Sequence, residues 1–302
     1  MQVHRAIKSI LLALLAADLL FLLAVKTPAR LFALSAAGRS GCALESTLAS
    51  YHETKEALDL RRQFHNAMRI VSRDPAGLEL WDTPKGQIWT PQNDEILPFL
   101  LAEQQRQIYG SGNRGVHPGD VVLDCGANIG TFTKTALASG ARLVVAIELA
   151  PVTLECLRRN VANEIAQGRV IVYPKGVWDR DASLDLALNE HNAGANSVVM
   201  DRGRQKVRVP LTTIDKIVGE LGLRQVDFIK MDIEGAEKQA LAGGRATIQR
   251  FRPRMAISSE HLEDDVQKIP LAVSQIRSDY HLEFTDCEDE GFRVQPLVIQ
   301  FF

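Results

Sequence analysis

The run VVLDCGANIGTFT, Val121 to Thr133, constrains the fold of this chain more than any other stretch. Val121, Val122 and Leu123 form a short apolar run of the kind shown by a strand buried on both faces. Asp124 ends that run, Gly126-Ala127-Asn128-Ile129-Gly130 follows, and Thr131 opens an amphipathic helical pattern. Strand, glycine turn and helix together aim free backbone N–H groups and a positive helix end at an anion. Gly126 lets the chain bend with no side chain in the way, and Gly130 allows helix and strand to pack closely. The spacing is D-x-G-x-x-x-G rather than G-x-G-x-x-G. Asn128 stands where a dinucleotide site has its second glycine, so a pyrophosphate would meet a side chain. An amino-acid carboxylate needs only a few N–H donors and tolerates one. The competing reading is a pair of packing glycines at an ordinary strand-to-helix turn.

A chain of 302 residues has room for one large α/β domain plus an appendage. Its formal net charge of −2 offers no basic field for a nucleic-acid backbone, and no aromatic ladder is present on which bases could stack. Cys42, Cys125, Cys156 and Cys287 lie far apart with no zinc spacing, and they read as reduced thiols without a role.

Three segments organise the chain. Residues 1–43 hold an apolar stretch, Ile10 to Val25, broken by Asp18 and flanked by Arg5, Lys8 and Lys26. It falls just short of the roughly 20 residues of a spanning helix, and Asp18 costs about 2.5–3.5 kcal/mol at bilayer centre. A signal-anchor helix, a cleaved signal and a segment lying against the bilayer or the domain all fit. The anchor is the expectation, with the catalytic domain on the cytoplasmic side, or a cytoplasmic protein if the segment is no anchor. Residues 44–119 form a helical and hairpin extension: a helix over Leu44 to Ser72, a hairpin over Leu78 to Trp89 turning through Asp82 to Gly86 with Pro84 and Gly86 as turn residues, and a helix over Leu97 to Tyr109. Trp81 and Trp89 read as core or lid packing in preference to a sugar platform. Residues 120–302 form the main domain.

Within that domain Leu143 to Ile147 is the next buried strand, with Glu148 at its end, 22 positions after Gly126. An acid there suits two neighbouring ribose hydroxyls, or else caps the following helix, Thr153 to Ala162. Val170 to Tyr173 makes a third strand leading to Gly176-Val177-Trp178-Asp179, where Val177 or Trp178 could flank an adenine ring and Asp179 accept from its amine. Ser183 to Leu188, Ser197 to Met200 and Val207 to Leu211 alternate as short antiparallel strands, with His191 to Asn196 as a loop over a pocket. Thr212 or Thr213 caps the next helix. Tyr280 to Thr285 and Pro296 to Phe302 read as a closing antiparallel pair.

VDFIKMDIEGAEKQALAGG, Val226 to Gly244, taken with VVLDCGANIGTFT, AIELAP, GVWD and VPLTTID, closely resembles the FkbM family of S-adenosylmethionine-dependent methyltransferases. The likeness runs from about Asp120 to about Asp264, and D-x-E-G-A-E is its most specific element. It implies a seven-stranded Rossmann-like class I sheet with helices on both faces, here behind an N-terminal hydrophobic helix and the helix and hairpin extension. It also implies methyl transfer to an oxygen of a small molecule, sugar or glycan. By resemblance Asp124, Gly126, Ala127, Asn128 and Gly130 border the methionine end of the cofactor, Glu148 takes the ribose, and Val177, Trp178 and Asp179 lie near the adenine. Asp232 and Glu234 fall at the edge facing the reacting methyl.

An alcohol nucleophile needs its proton removed by a carboxylate or imidazole within reach. Asp232, Glu234, Glu260 and His261 are the candidates, with His261 as the base and Asp232 orienting substrate or cofactor. The simpler alternative has His261 capping a helix over Leu262 to Gln267. No second motif supports a divalent ion among the acids, so no metal is expected. The competing functions are a membrane-tethered, non-catalytic adenosyl-nucleotide-binding protein and an N-methyltransferase. The Asp- or Asn-Pro-Pro-aromatic motif is absent, and an NAD-dependent oxidoreductase is disfavoured by the missing middle glycine.

Overall fold

The computed structural model describes residues 27–189, 192–200, 205–289 and 293–302. The apolar stretch Ile10 to Val25 lies outside the described residues. Among the described residues no helix is long and apolar enough to cross a membrane. The chain divides into two compact units, one made of the chain up to Glu56 with Phe284–Leu297, the other of Ala57–Glu283 with Val298–Phe302.

In the first unit, helix α1 (Pro28–Ala36) starts where the Thr27 hydroxyl accepts from the Arg30 N–H at 3.2 Å, with proline in its first turn. Leu31 and Leu34 turn inward with Val294 around a disulfide between Cys42 and Cys287. The expectation of reduced thiols fails for this pair. Cys125 and Cys156 are the buried free cysteines among the described residues. A sequence separation of 245 residues hides the pairing from any local reading. Beside the disulfide, Arg30 and Asp289 form a buried ion pair. Helix α2 (Leu44–Ala67) begins in this unit and runs on into the other.

The second unit opens with a three-stranded sheet, β1 (Arg69–Asp74), β2 (Leu78–Thr83) and β3 (Gly86–Pro91). The hairpin of β2 and β3 matches the sequence reading, but β1 falls where a helix is expected to continue. Its RIVSRD has no buried face, so only its pairing with β2 makes it a strand. Trp81 and Trp89 pack on a core of Phe64, Leu78, Ile88 and Leu97.

Helix α3 (Leu97–Arg106) leads to the main layers: β4 (Val121–Cys125), α4 (Thr131–Ala138), β5 (Leu143–Ile147), α5 (Pro151–Asn160), α6 (Ala162–Ala166) and β6 (Val170–Tyr173). Next come β7 (Gly176–Val177), β8 (Ala182–Leu188), β9 (Gln205–Thr212), α7 (Ile214–Glu220) and β10 (Phe228–Met231). Helices α8 (Glu237–Gly243) and α9 (Arg245–Phe251), β11 (Arg254–Ser258), α10 (Asp265–Ile276), β12 (Leu282–Asp289) and β13 (Val294–Phe301) complete the chain. Thr213 caps α7 by accepting from the Lys216 N–H.

The central sheet has the order β12-β13-β11-β10-β4-β5-β6, parallel from β11 to β6 and antiparallel where β13 meets β11. Strand order reverses between β4 and β10, and ligands of open parallel sheets collect at the carboxyl edge of such a switch point. The register pairs Met231 with Cys125 and with Ile257. The residues that follow each of these strands, Gly126, Asp232 and Ser258, therefore emerge side by side.

Sheet β7-β9-β8 stands apart from the central one. Ser197 to Met200 is not a strand: Ser197 makes an isolated bridge to Ala187, and the rest is bend. Its hydroxyl accepts from the Val199 and Met200 N–H groups, a local bond that competes with strand pairing.

Candidate active site

The glycine turn is wound tightly against its two neighbouring strands. Gly126 has φ +78°, and a Cβ placed there would meet the Asp232 carbonyl oxygen at 1.9 Å. The Gly126 and Ala127 N–H groups both donate to the Ile147 carbonyl at 3.0 Å. Asn128 takes φ +50°, and Gly130, φ +90°, is the N-cap of α4 with no side chain to close that end. The cradle thus depends on glycine at the two places where a side chain would strike backbone or the Leu157 methyl.

Asp124 is wholly buried beneath this turn, where its Oδ2 accepts from the Thr133 hydroxyl at 2.6 Å. Burial raises its pKa, against the opposing pull of Lys230 and Thr133. Glu148 is buried at the end of β5. Its Oε2 accepts from the Asn128 N–H at 2.9 Å, and its Oε1 from the Leu149 and Ala150 N–H groups at 2.8 Å. One carboxylate therefore ties the glycine turn to the start of α5. Burial raises its pKa too, with those three N–H groups resisting.

Of the expected adenine neighbours, Val177 is buried in β7 and Trp178 is half-buried, its N–H donating to the Thr212 carbonyl at 2.7 Å. Asp179 is exposed and pairs with Arg180 at 3.2 Å. Close approach of Gly176 to the Leu149 side chain brings β7 beside the end of β5.

At the end of β10 the structure gathers groups from four parts of the chain. Asp232 Oδ2 accepts from the Tyr109 hydroxyl at 2.7 Å, and its Oδ1 lies 3.4 Å from His261 Nε2. Lys230 sits beneath, donating to the Gly126 carbonyl at 2.7 Å, with Asp124 at 3.6 Å and Asp232 at 3.8 Å. Burial opposes the charge of Lys230, and the two aspartates more than offset that, so its pKa stands above the ordinary value. For Asp232, burial favours the neutral acid, but Lys230, His261 and the Tyr109 and Ser258 hydroxyls outweigh it and hold the carboxyl ionised.

His261 is enclosed by carboxylates. Its Nδ1 faces Glu237 Oε1 at 3.0 Å, while Nε2 lies 3.6 Å from Glu234 Oε1. Burial disfavours the imidazolium, yet Glu237, Glu234 and Asp232 together push its pKa well above the ordinary 6.5. Glu237 is 0% exposed, accepts from the Ile233 N–H at 2.9 Å and leaves Oε2 without a partner. Among the described residues Asp232, Glu237 and His261 place one ligand atom each within 4.8 Å of one another. That donor set suits a divalent cation, and the imidazolium satisfies much of the same charge without one. His261 does not cap a helix, because α10 begins only at Asp265. Glu260 is half-buried, near enough to Tyr109 to raise its pKa.

Asp232, Glu234, Glu260 and His261 are thus brought to one edge. Glu237, Ser258 and Tyr109 join them without having been singled out from sequence. Glu237 carries a signal, the last letter of D-x-E-G-A-E. Tyr109 carries none, since 123 residues separate it from Asp232.

The family model described as the methyltransferase FkbM domain matches residues 124–294, more than half of the 302-residue chain. The chain belongs to the FkbM methyltransferase family. Its cofactor is S-adenosyl-L-methionine, as the resemblance implied. A relative, the 31-O-demethyl-FK506 methyltransferase FkbM of Streptomyces tacrolimicus, is 29% identical over 158 residues, 42% of this chain and 60% of its own. Methyltransferase 1 of Beauveria bassiana is 25% identical over 194 residues, 57% of this chain and 72% of that one. The chain therefore spans 60% of the first relative's length, under two thirds of it. A crystal structure of methyltransferase FkbM from Methylobacillus flagellatus aligns at TM-score 0.49 with 18% identity, covering 83% of this chain and 59% of that one.

The residues present fit an adenosyl amino acid. The FkbM turn has a bare helix start at Gly130, and Asn128 Oδ1 is buried with no partner.

Proposed function

We propose that this FkbM protein transfers a methyl group to a hydroxyl oxygen of a small molecule, sugar or glycan. In this reading Asp124, Gly126, Ala127, Asn128 and Gly130 frame the methionine end of the cofactor, Glu148 takes the ribose, and Val177, Trp178 and Asp179 border the adenine. The cofactor, when bound, supplies a methyl group on a sulfonium centre. The chain's task is to align an acceptor in line with that methyl and to remove the acceptor's proton.

The observation that carries the proposal is the contact between the glycine turn and Asp232, whose carbonyl leaves no room for a Cβ on Gly126. The ionised Asp232 thus stands beside the amino-acid end of the cofactor. Because His261 is held protonated by its three carboxylates, the role of proton acceptor suits Asp232 better than His261. The imidazolium then balances the charge that Asp232 carries before the transfer, and Glu234 and Glu260 line the acceptor side. A nitrogen acceptor needs no such pair, since a neutral amine attacks with its own lone pair.

Mass spectrometry of extracts incubated with the protein and isotopically labelled cofactor tests this reading. The expected product gains one labelled methyl that resists conditions cleaving methyl esters and is located on oxygen by fragmentation. Label found only on nitrogen, or none transferred by a protein that binds the cofactor, would sink it.

A further inference from the structure

Among the described residues, four buried carboxamide oxygens have no hydrogen-bond partner, and two of them lie near the glycine turn: Asn128 Oδ1 in the turn itself and Asn192 Oδ1 in the segment after β8. Their side chains flank one glycine, Asn192 with its oxygen and Asn128 with its Nδ2. A Cβ on Gly194 would lie 3.0 Å from Asn192 Oδ1, 3.3 Å from Asn128 Nδ2 and 3.6 Å from Ile96 Cγ1. The segment is anchored at three points. Asp94, itself buried, accepts from the Ala193 N–H at 2.9 Å and from the Ile96 N–H at 2.8 Å. Asn192 donates its N–H to the Asn189 side chain at 3.1 Å, and the Asn189 N–H donates to Asn196 Oδ1 at 2.8 Å. At the far end the Ser197 hydroxyl donates to the Glu234 carbonyl at 2.7 Å. One short strap thereby runs from the glycine turn to the D-I-E-G turn.

Buried acceptors without donors are costly, and they mark a place where a donor belongs. A carboxylate is excluded there by repulsion between oxygens. Ribose hydroxyls are already provided for at Glu148. The remaining donor of an adenosyl amino acid near this turn is its α-ammonium group, which carries three N–H bonds and a positive charge.

We infer that Asn192 and Asn128 accept hydrogen bonds from the α-ammonium group of the cofactor, so that the strap Asn192–Ser197 closes over its amino-acid end; this rests on the cofactor placement proposed above. It adds a cofactor contact from outside the glycine turn, at a position with no motif of its own. Small size at position 194 follows as a requirement, because any side chain there would enter the space between the two carboxamides.

The test compares two ligands in calorimetric titrations of the full chain. S-adenosylhomocysteine has the amino-acid end, and 5′-methylthioadenosine lacks it while keeping the nucleoside. Asn192→Ala is expected to weaken S-adenosylhomocysteine by about tenfold and to leave 5′-methylthioadenosine unchanged. Asn192→Asp keeps the shape and adds a negative charge, so it is expected to bind S-adenosylhomocysteine at least as tightly as the native chain. Equal losses for both ligands in Asn192→Ala, or no loss for either, would overturn the inference while leaving the cofactor site standing. A native chain that binds neither ligand would overturn that site as well.

Discussion

The Tyr109 hydroxyl donates to Asp232 Oδ2 at 2.7 Å, joining the residue just past α3 to the end of β10. Tyr109 also packs its ring edge-on to Phe132 and lies 5.1 Å from Lys230 Nζ, so the ring and the hydroxyl do separate things. Tyr109→Phe keeps the packing and removes one donor from the carboxylate. Hydrogen bonds to charged groups contribute about 1.5–3 kcal/mol, so kcat is expected to fall by about tenfold to a hundredfold with the cofactor KM unchanged. A change in the cofactor KM alone would mean that Tyr109 serves binding rather than the acceptor side.

Asp232 and Glu148 are expected to separate cleanly in kinetics. Asp232→Asn preserves shape but removes the proton acceptor, and turnover should fall by about a hundredfold to ten-thousandfold with cofactor affinity nearly intact. Glu148→Gln keeps the size of a side chain that also holds three N–H groups. Its expected effect is about tenfold weaker cofactor binding with a smaller change in kcat. Steady-state rates measured beside calorimetric affinities check both, and comparable losses in the two assays for Asp232→Asn would show its role to be misassigned.

Stability should depend on pH through His261. Its folded-state pKa lies above the ordinary 6.5, because Glu237, Glu234 and Asp232 overcome the effect of burial. A raised folded-state pKa gives stability that is complete below the unfolded value near 6.5 and is lost as pH climbs through the folded value. Thermal melts from about pH 6 to about pH 9 should therefore show the native chain losing stability relative to His261→Gln. Parallel curves for the two proteins would refute the imidazolium.

The disulfide gives a prediction for the first unit. Cys42 and Cys287 are 245 residues apart, so their bond restrains a large part of the unfolded chain. Reduction, or Cys42→Ser, is expected to cost about 2–4 kcal/mol. Thermal melts with and without reductant measure this. Cys42→Ser and Cys287→Ser should match each other and should both be insensitive to reductant. A native chain whose melt ignores reductant would argue that the bond does not form.

The site was legible in proportion to how local its parts are. Asp124, Gly126, Asn128 and Gly130 lie on one strand-turn-helix, and Asp232 and Glu234 on another, so short spacings reveal them; Glu237 closes the same motif and was passed over. Strand β1 was not legible, because its residues have no buried face and become a strand only beside β2. Ser197 to Met200 misled in the opposite direction: alternation suggested a strand, but the Ser197 hydroxyl takes up the N–H groups that a ladder would have used. The cap of α7, read as Thr212 or Thr213, was a local matter, and the structure selects Thr213.

By itself the amino-acid sequence determined the parallel core, the cofactor turn and the family, since each rests on apolar runs and glycines within a few residues of one another. Only the tertiary structure decided which charges face His261, that Tyr109 holds Asp232, that Gly194 lies between Asn192 and Asn128, and that Cys42 finds Cys287. Those contacts depend on chain segments far apart in sequence being packed within bonding distance, and the energy of a buried charge is set by its neighbours in space.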